Sequence, residues 1–141
     1  MEFNRIVLSL VLIAFTGISC VRNEPILPET GKEHCAHCSM AITDNKFHSQ
    51  ILTSKGRRIY FDSLECLHAY VKEKRPSIQS AWVALYDSPG KMVSIDSASY
   101  IQSENIRTPM GEGIAAFSDR SSAEKYLKEH KGKLLGRILE E

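Results

Sequence analysis

A shift of 56 residues lays the middle of this chain onto its C-terminal third: Phe61 falls on Phe117, Tyr70 on Tyr126, Lys72 on Lys128 and Glu73 on Glu129. In both copies an aromatic strand end feeds a helix with a Tyr on its second or third turn, which constrains the chain to two small modules of like plan. In the first copy Phe47 to Thr53 and Arg58 to Asp62 read as strands around Lys55-Gly56, a hairpin with a short turn. Ser63 is placed to cap a helix in which Leu64, Leu67 and Val71 recur at helical spacing, and that helix is expected to stop before Pro76. In the second, Ala81 to Tyr86 and Met92 to Ser97 read as strands parted by Pro89-Gly90, Gly113 to Phe117 as another, and Ser121 or Ser122 as the cap of a helix running to about His130. The expected division is 34–88 for the first module and 89–141 for the second. Modules of about fifty to sixty residues bury too little apolar surface to be secure alone, so each must lean on the other or on a ligand.

Chemistry is concentrated just ahead of the first hairpin. Between His34 and Met40 lie two thiols, two imidazoles and a thioether (His34-Cys35-Ala36-His37-Cys38-Ser39-Met40). Thiolates and thioethers are soft donors that select monovalent copper, imidazole is shared among zinc, copper, nickel and iron, and the Met tips the choice toward copper. A Cys-x-x-Cys pair also fits zinc or a redox dithiol. Plainer readings stand beside these: a structural disulfide between Cys35 and Cys38, and Met40 as core filler. The flanking Lys32, Glu33, His34, His37 and Ser39 make the segment too polar for a buried strand.

The N-terminus reads as an export signal. Arg5 precedes an almost unbroken apolar run from Ile6 to Phe15, too short to span a bilayer, and small residues follow directly before Cys20. Gly17-Ile18-Ser19-Cys20 resembles the lipobox of bacterial lipoproteins, with Gly17 where a larger aliphatic is usual; residues 1–19 are then signal peptide and Cys20 is lipid-modified. Val21 to Lys32, with Pro25, Pro28 and Gly31, reads as an extended tether, so that 20–33 links lipid to fold. A formal net charge of +1 and a pI of about 7.7 give no basic stripe for nucleic acid. With Cys20 modified, Cys35, Cys38 and Cys66 remain, an odd number that disulfides within one molecule cannot close. At least one thiol is left for metal or redox use.

A second chemical point is Thr108-Pro109-Met110-Gly111-Glu112-Gly113, where no hydrophobic periodicity asks for Met110. It is a capping contact or, if the modules stack by their repeat, a thioether that can face Met40.

Taken in order behind the lipobox, Cys35-Ala36-His37-Cys38-Ser39-Met40, Phe61-Asp62-Ser63-Leu64-Glu65-Cys66 and Pro109-Met110-Gly111 resemble the NosL family, lipoprotein copper-binding accessory proteins of nitrous oxide reductase. The resemblance covers essentially the whole mature chain. It implies an α+β fold of two related ββαβ-type modules. It implies a Cu(I) site in which Cys38 and Met40 match the family's Cys-Gly-Met, with Ser39 in place of Gly, and Met110 matches the later Met-Gly. Copper is then handed on, in the periplasm, for assembly of the reductase's copper centres. Tyr60 to Leu67 further resembles the zinc-knuckle YHS/TRASH pattern, with Asp62 where that pattern has Cys, which makes Asp62 and Cys66 candidate ligands; Cys66 also reads as a buried structural residue between Leu64 and Leu67.

The reading that follows is a copper-delivering lipoprotein and not an enzyme, anchored by Cys20 to a bacterial membrane, the outer one by preference, and facing the periplasm. Its expected metal ligands are Cys35, Cys38, Met40 and Met110, with His34, His37 or His48 as a further donor and the reductase or its assembly factors as receiver. Two alternatives remain: a thiol-disulfide oxidoreductase using Cys35 and Cys38, and a zinc-stabilised adaptor using Cys35, Cys38, Cys66 and a His. Against the oxidoreductase, Ser39 to Asn45 reads as loop where a long helix would follow a thioredoxin-type pair. No Gly-rich phosphate loop, nucleophile elbow or His-Glu-x-x-His is present.

Overall fold

A computed structural model describes residues 22–139. The expected signal peptide, residues 1–19, and Cys20 lie outside the described residues, and no helix among those described is long and apolar enough to cross a membrane. The order of elements is β1 (Ser49–Thr53), β2 (Arg58–Phe61), α1 (Leu64–Lys74), β3 (Ile78–Ala84), β4 (Met92–Ser94), β5 (Ser99–Gln102), β6 (Ile114–Phe117), α2 (Arg120–Glu129) and β7 (Lys133–Leu135).

Two antiparallel sheets result, ordered β2-β1-β3-β4 and β6-β5-β7. In each, a hairpin leads into a helix and the next strand returns beside the hairpin's first strand, so β1β2α1β3 and β5β6α2β7 share one ββαβ connectivity. The 56-residue shift holds at the level of elements, because it carries β2 onto β6 and the start of α1 onto the start of α2. It also carries Ser63 onto Asp119, the two residues that cap those helices, each extended and each accepting from the backbone N–H three residues on, Cys66 and Ser122 respectively. The cap of α2 is therefore Asp119, not Ser121 or Ser122, both of which lie inside the helix. Phe61 contacts Tyr70 at 5.1 Å between ring centres and Phe117 contacts Tyr126 at 5.5 Å, so the repeated aromatics bind each helix to its own hairpin.

Met92–Ser94, expected among the strands of the second half, instead pairs with β3 at the edge of the first sheet; β5 and β7 were not anticipated. The main core spans both halves: Ile51, Phe61, Leu64, Leu67 and Val83 pack with Tyr100 and Ala116, and Cys35 and Cys66 belong to it. A smaller core of Phe47, Ile101, Ile106, Ala115, Phe117 and Ala123 lies under α2. The backbone bond from Tyr86 N–H to Ala116 O, 2.8 Å, stitches the halves together. Residues 22–28 form no helix or strand and are laid against the first sheet: the buried amide of Gln50 accepts from Ile26 N–H (3.0 Å) and donates to Ile26 O (2.7 Å), and Arg58 donates to Arg22 O (2.9 Å).

Candidate metal centre

Three segments meet at one point. The first is the loop before β1, closed on itself by Gly31 N–H to Ile42 O (2.8 Å), Ile42 N–H to Glu33 O (2.9 Å) and Cys35 N–H to Met40 O (2.8 Å). Ser39 N–H returns to Cys35 O at 2.9 Å, a tight turn that brings the two thiols to one side. That turn needs a left-handed residue, and Ser39 takes it with φ 64°. Only glycine enters this region without steric penalty, so Ser39 holds the turn at a conformational cost. Ala36 N–H to Tyr60 O, 2.9 Å, docks the loop on β2. The second segment is the end of β2, which delivers Asp62. The third is the first turn of α1, which delivers Cys66, its N–H held by Ser63 Oγ at 3.2 Å.

The ligand atoms of Cys35, Cys38, Asp62 and Cys66 all lie within 4.8 Å of one another. Cys35, Asp62 and Cys66 are buried and Cys38 is half-buried, so Cys38 forms the solvent side of the cluster. Its Sγ donates to Asp62 Oδ2 at 3.2 Å. Asp62 Oδ1 is buried with no hydrogen-bond partner among the described residues. All three thiols are unbridged. Burial pushes the Cys38 thiol up from 9.0 to about 11; the backbone of Met40 pulls it down, while Asp62 and Cys35 add to the rise. Burial, then Asp62 and Cys35, push the Cys66 thiol up as well. In the metal-free protein these groups are thiols, and a cation that binds them must displace protons.

The structure thus brings together Cys35 and Cys38 and adds Asp62 and Cys66, so Cys66 is at once the buried helix residue and a member of the cluster. Met40 and Met110 are exposed, at 45% and 43%. Met40 remains joined to the cluster through its carbonyl, which accepts from Cys35. Met110 sits on a turn closed by Gly111 N–H to Thr108 O (3.0 Å), and Thr108 Oγ1 in turn donates to Glu65 Oε1, 2.6 Å, on the helical turn that carries Cys66. Gly113 ends that loop with φ 72°, where a Cβ would lie 2.2 Å from Ser103 O. The imidazoles stand apart: His34 and His37 are exposed, and His48 is fully buried without a hydrogen-bond partner among the described residues. The Cys-x-x-Cys pair lies in a loop and not at the start of a helix, as a thioredoxin-type dithiol would.

The paired ββαβ modules have a solved counterpart: the crystal structure of the copper chaperone NosL from Shewanella denitrificans is similar over 81% of this chain and 93% of that chain, with a TM-score of 0.68 at 19% identity. At that identity the likeness is one of fold. The sequence carries the family: the NosL family model matches residues 26–137, and the chain belongs to the NosL family. No match was found among curated proteins.

Proposed function

We propose that this protein is a carrier of Cu(I) and not an enzyme, tethered through a lipid on Cys20 to a bacterial membrane, the outer one by preference, on its periplasmic side, and that it supplies copper for assembly of the copper centres of nitrous oxide reductase. The observation that carries the reading is the position of Cys38, a half-buried thiol at the mouth of a cluster of three thiols, with Met40 exposed two residues on. Membership of the NosL family supports it. In this reading Cys38 is the anionic donor, Met40 and Met110 are neutral soft donors on the solvent side, and Cys35 is the sulfur behind. When copper enters, the Cu–S bond replaces the S–H bond of Cys38, and the proton leaves along the hydrogen bond to Asp62 Oδ2. Release runs the other way, as a receiver's ligands replace the exposed thioethers first and the thiolate last. Stepwise exchange of this kind keeps a soft ion from ever being free in water. The docking of Ile26 on Gln50 leaves few residues between Cys20 and the folded body, which holds the carrier close to its membrane.

Incubating the copper-loaded protein with copper-depleted nitrous oxide reductase tests the assignment. Copper passing to the reductase, with recovery of its copper spectrum, is expected; a loaded protein that retains its copper in the presence of the depleted enzyme and its assembly factors contradicts this receiver.

A further inference from the structure

Four large apolar side chains among the described residues stand out in solvent, and they fall into two pairs. Met40 and Met110 belong to the copper reading. Ile26 and Leu27, 46% and 52% exposed, have no part in it. They are neighbours on a segment that is firmly held. Besides the bonds of Gln50 to Ile26 and of Arg58 to Arg22 O, Ser80 Oγ donates to Asn23 Oδ1 at 2.6 Å, and Pro28 is buried. The backbone of Ile26 is thus pinned by an amide that is itself 0% exposed, while the side chains of Ile26 and Leu27 are kept in water. Two adjacent aliphatic side chains fixed in this way gain free energy when an apolar phase covers them. Three observations choose that phase. Cys20, the residue read as lipid-bearing, is six residues before Ile26, and six residues span at most about 22 Å, so acyl chains on Cys20 keep the pair beside the bilayer. The carboxylates flanking the pair are each matched by a cation, Glu24 by Arg22 at 3.0 Å and Glu29 by Lys32, which lowers their repulsion from an anionic leaflet. Pro25 and Pro28 bracket the pair, and having no N–H they leave fewer backbone donors to strip of water.

We propose that Ile26 and Leu27 form an apolar knuckle that enters the interface of the bilayer to which Cys20 is anchored, and that it sets the orientation of the folded body there. The covalent lipid supplies attachment and the knuckle a second, fixed point of contact. This rests on the lipid anchor of the reading above and not on copper. Strand alternation decides which way the body faces. Gln50, Arg58 and Ser80 turn toward the docked segment, whereas Ile51, Phe61 and Val83 point into the core that holds Cys35 and Cys66. The first sheet therefore stands between the knuckle and the thiol cluster. A body resting on Ile26 and Leu27 has Cys38 turned away from the bilayer, where a receiver's ligands can approach it. A lipid alone would let that mouth turn against the headgroups.

The test uses the chain expressed with its signal, purified from membranes and placed in vesicles of phosphatidylethanolamine and phosphatidylglycerol with brominated acyl chains. Mass spectrometry of its N-terminus reads the lipid. The one tryptophan, Trp82, is 7% exposed with the Arg58 guanidinium over its ring, and it serves as a constant background. Leu27→Trp is expected to add emission that shifts to the blue on the vesicles and is quenched by bromine. Lys72→Trp, on the exposed side of α1, is expected to add emission that does neither. Adding Ile26→Ser and Leu27→Ser to Lys72→Trp is expected to leave the melting temperature almost unmoved, since both side chains are exposed, and to raise quenching at position 72 as the body loses its fixed orientation. Unchanged quenching at position 72 overturns the orienting role. An acylated chain whose emission from position 27 is neither shifted nor quenched overturns the knuckle and leaves the lipid anchor standing; if that chain also sediments as a dimer, the pair belongs to a contact between copies. A chain without lipid on Cys20 overturns the anchor and the proposal together.

Discussion

Thr108 Oγ1 donates to Glu65 Oε1 at 2.6 Å, so the loop that carries Met110 hangs from the helical turn that carries Cys66. The same hydroxyl oxygen accepts from Gly111 and Gly113 N–H at 3.1 and 3.2 Å, which makes it the knot of the loop. Thr108→Val keeps the shape and removes the knot, leaving a buried carboxylate oxygen and two amides without it. Loss of a hydrogen bond to a charged group costs about 1.5–3 kcal/mol. Denaturant unfolding of the apo protein is expected to show a loss in that range, and a loss under about 0.5 kcal/mol would mean that the Thr108 hydroxyl does not hold the loop to the helix.

Met110 is 43% exposed and buries little, so Met110→Ala should leave the apo melting temperature almost unmoved. If its thioether reaches copper, the same change lowers Cu(I) affinity by on the order of 1 to 3 kcal/mol and shrinks the copper-induced rise in melting temperature. A destabilised apo protein with copper affinity intact would show Met110 to be a packing residue.

Copper uptake should depend on pH through Cys38. Its thiol holds its proton to about 11, above the ordinary 9.0, chiefly because of burial. Each thiol that must ionise releases a proton on binding, so affinity rises with pH, by about tenfold per pH unit for one thiol, throughout the range below 11. A flat dependence between pH 6 and 8, checked by competition with a chelator of known pH behaviour, would show that no protonated thiol is the donor.

His48 sets a separate acid limb for the fold. Burial, with no hydrogen-bond partner among the described residues, holds its imidazole down to about 4 from 6.5, with Asp44 opposing the shift. The unfolded chain takes up this proton as pH falls through 6.5 and the folded chain does not until about 4, so stability is present above 6.5 and is lost across that window. The loss is on the order of 3 kcal/mol. His48→Leu should flatten stability between those pH values in denaturant titrations; an unchanged acid limb would assign it to the carboxylates.

The plan of the fold was legible because local signals agreed. Phe61 and Phe117 mark strand ends, Ser63 is the one good cap after the first, and Pro76 stops the helix it opens. Asp119 is masked in the sequence by the competing hydroxyls of Ser121 and Ser122; the end of β6 decides among them, and the 56-residue shift from Ser63 points to the same residue. β5 and β7 have no clear local signal because they are four and three residues long and owe their strand state to pairing with distant segments: Tyr100 faces Ala116 on one side and Leu135 on the other. At the site, the soft character of Cys35, Cys38 and Met40 was plain from composition. The place of Asp62 and Cys66 beside them was suggested only by likeness to another motif, because it depends on the docking of the loop on β2 through Ala36 and Tyr60, a tertiary contact with no local signature.

The most direct test is a Cu(I) titration of the reduced protein against a competing chelator, run on the wild type, on Cys35→Ala and on the double change Cys38→Ala with Met40→Ala. One tightly bound Cu(I) is expected for the wild type, a smaller loss for Cys35→Ala, and near-complete loss for the double change, with the apo fold retained because Cys38 and Met40 sit at the solvent side of the cluster. Undiminished Cu(I) affinity in the double variant would contradict the account.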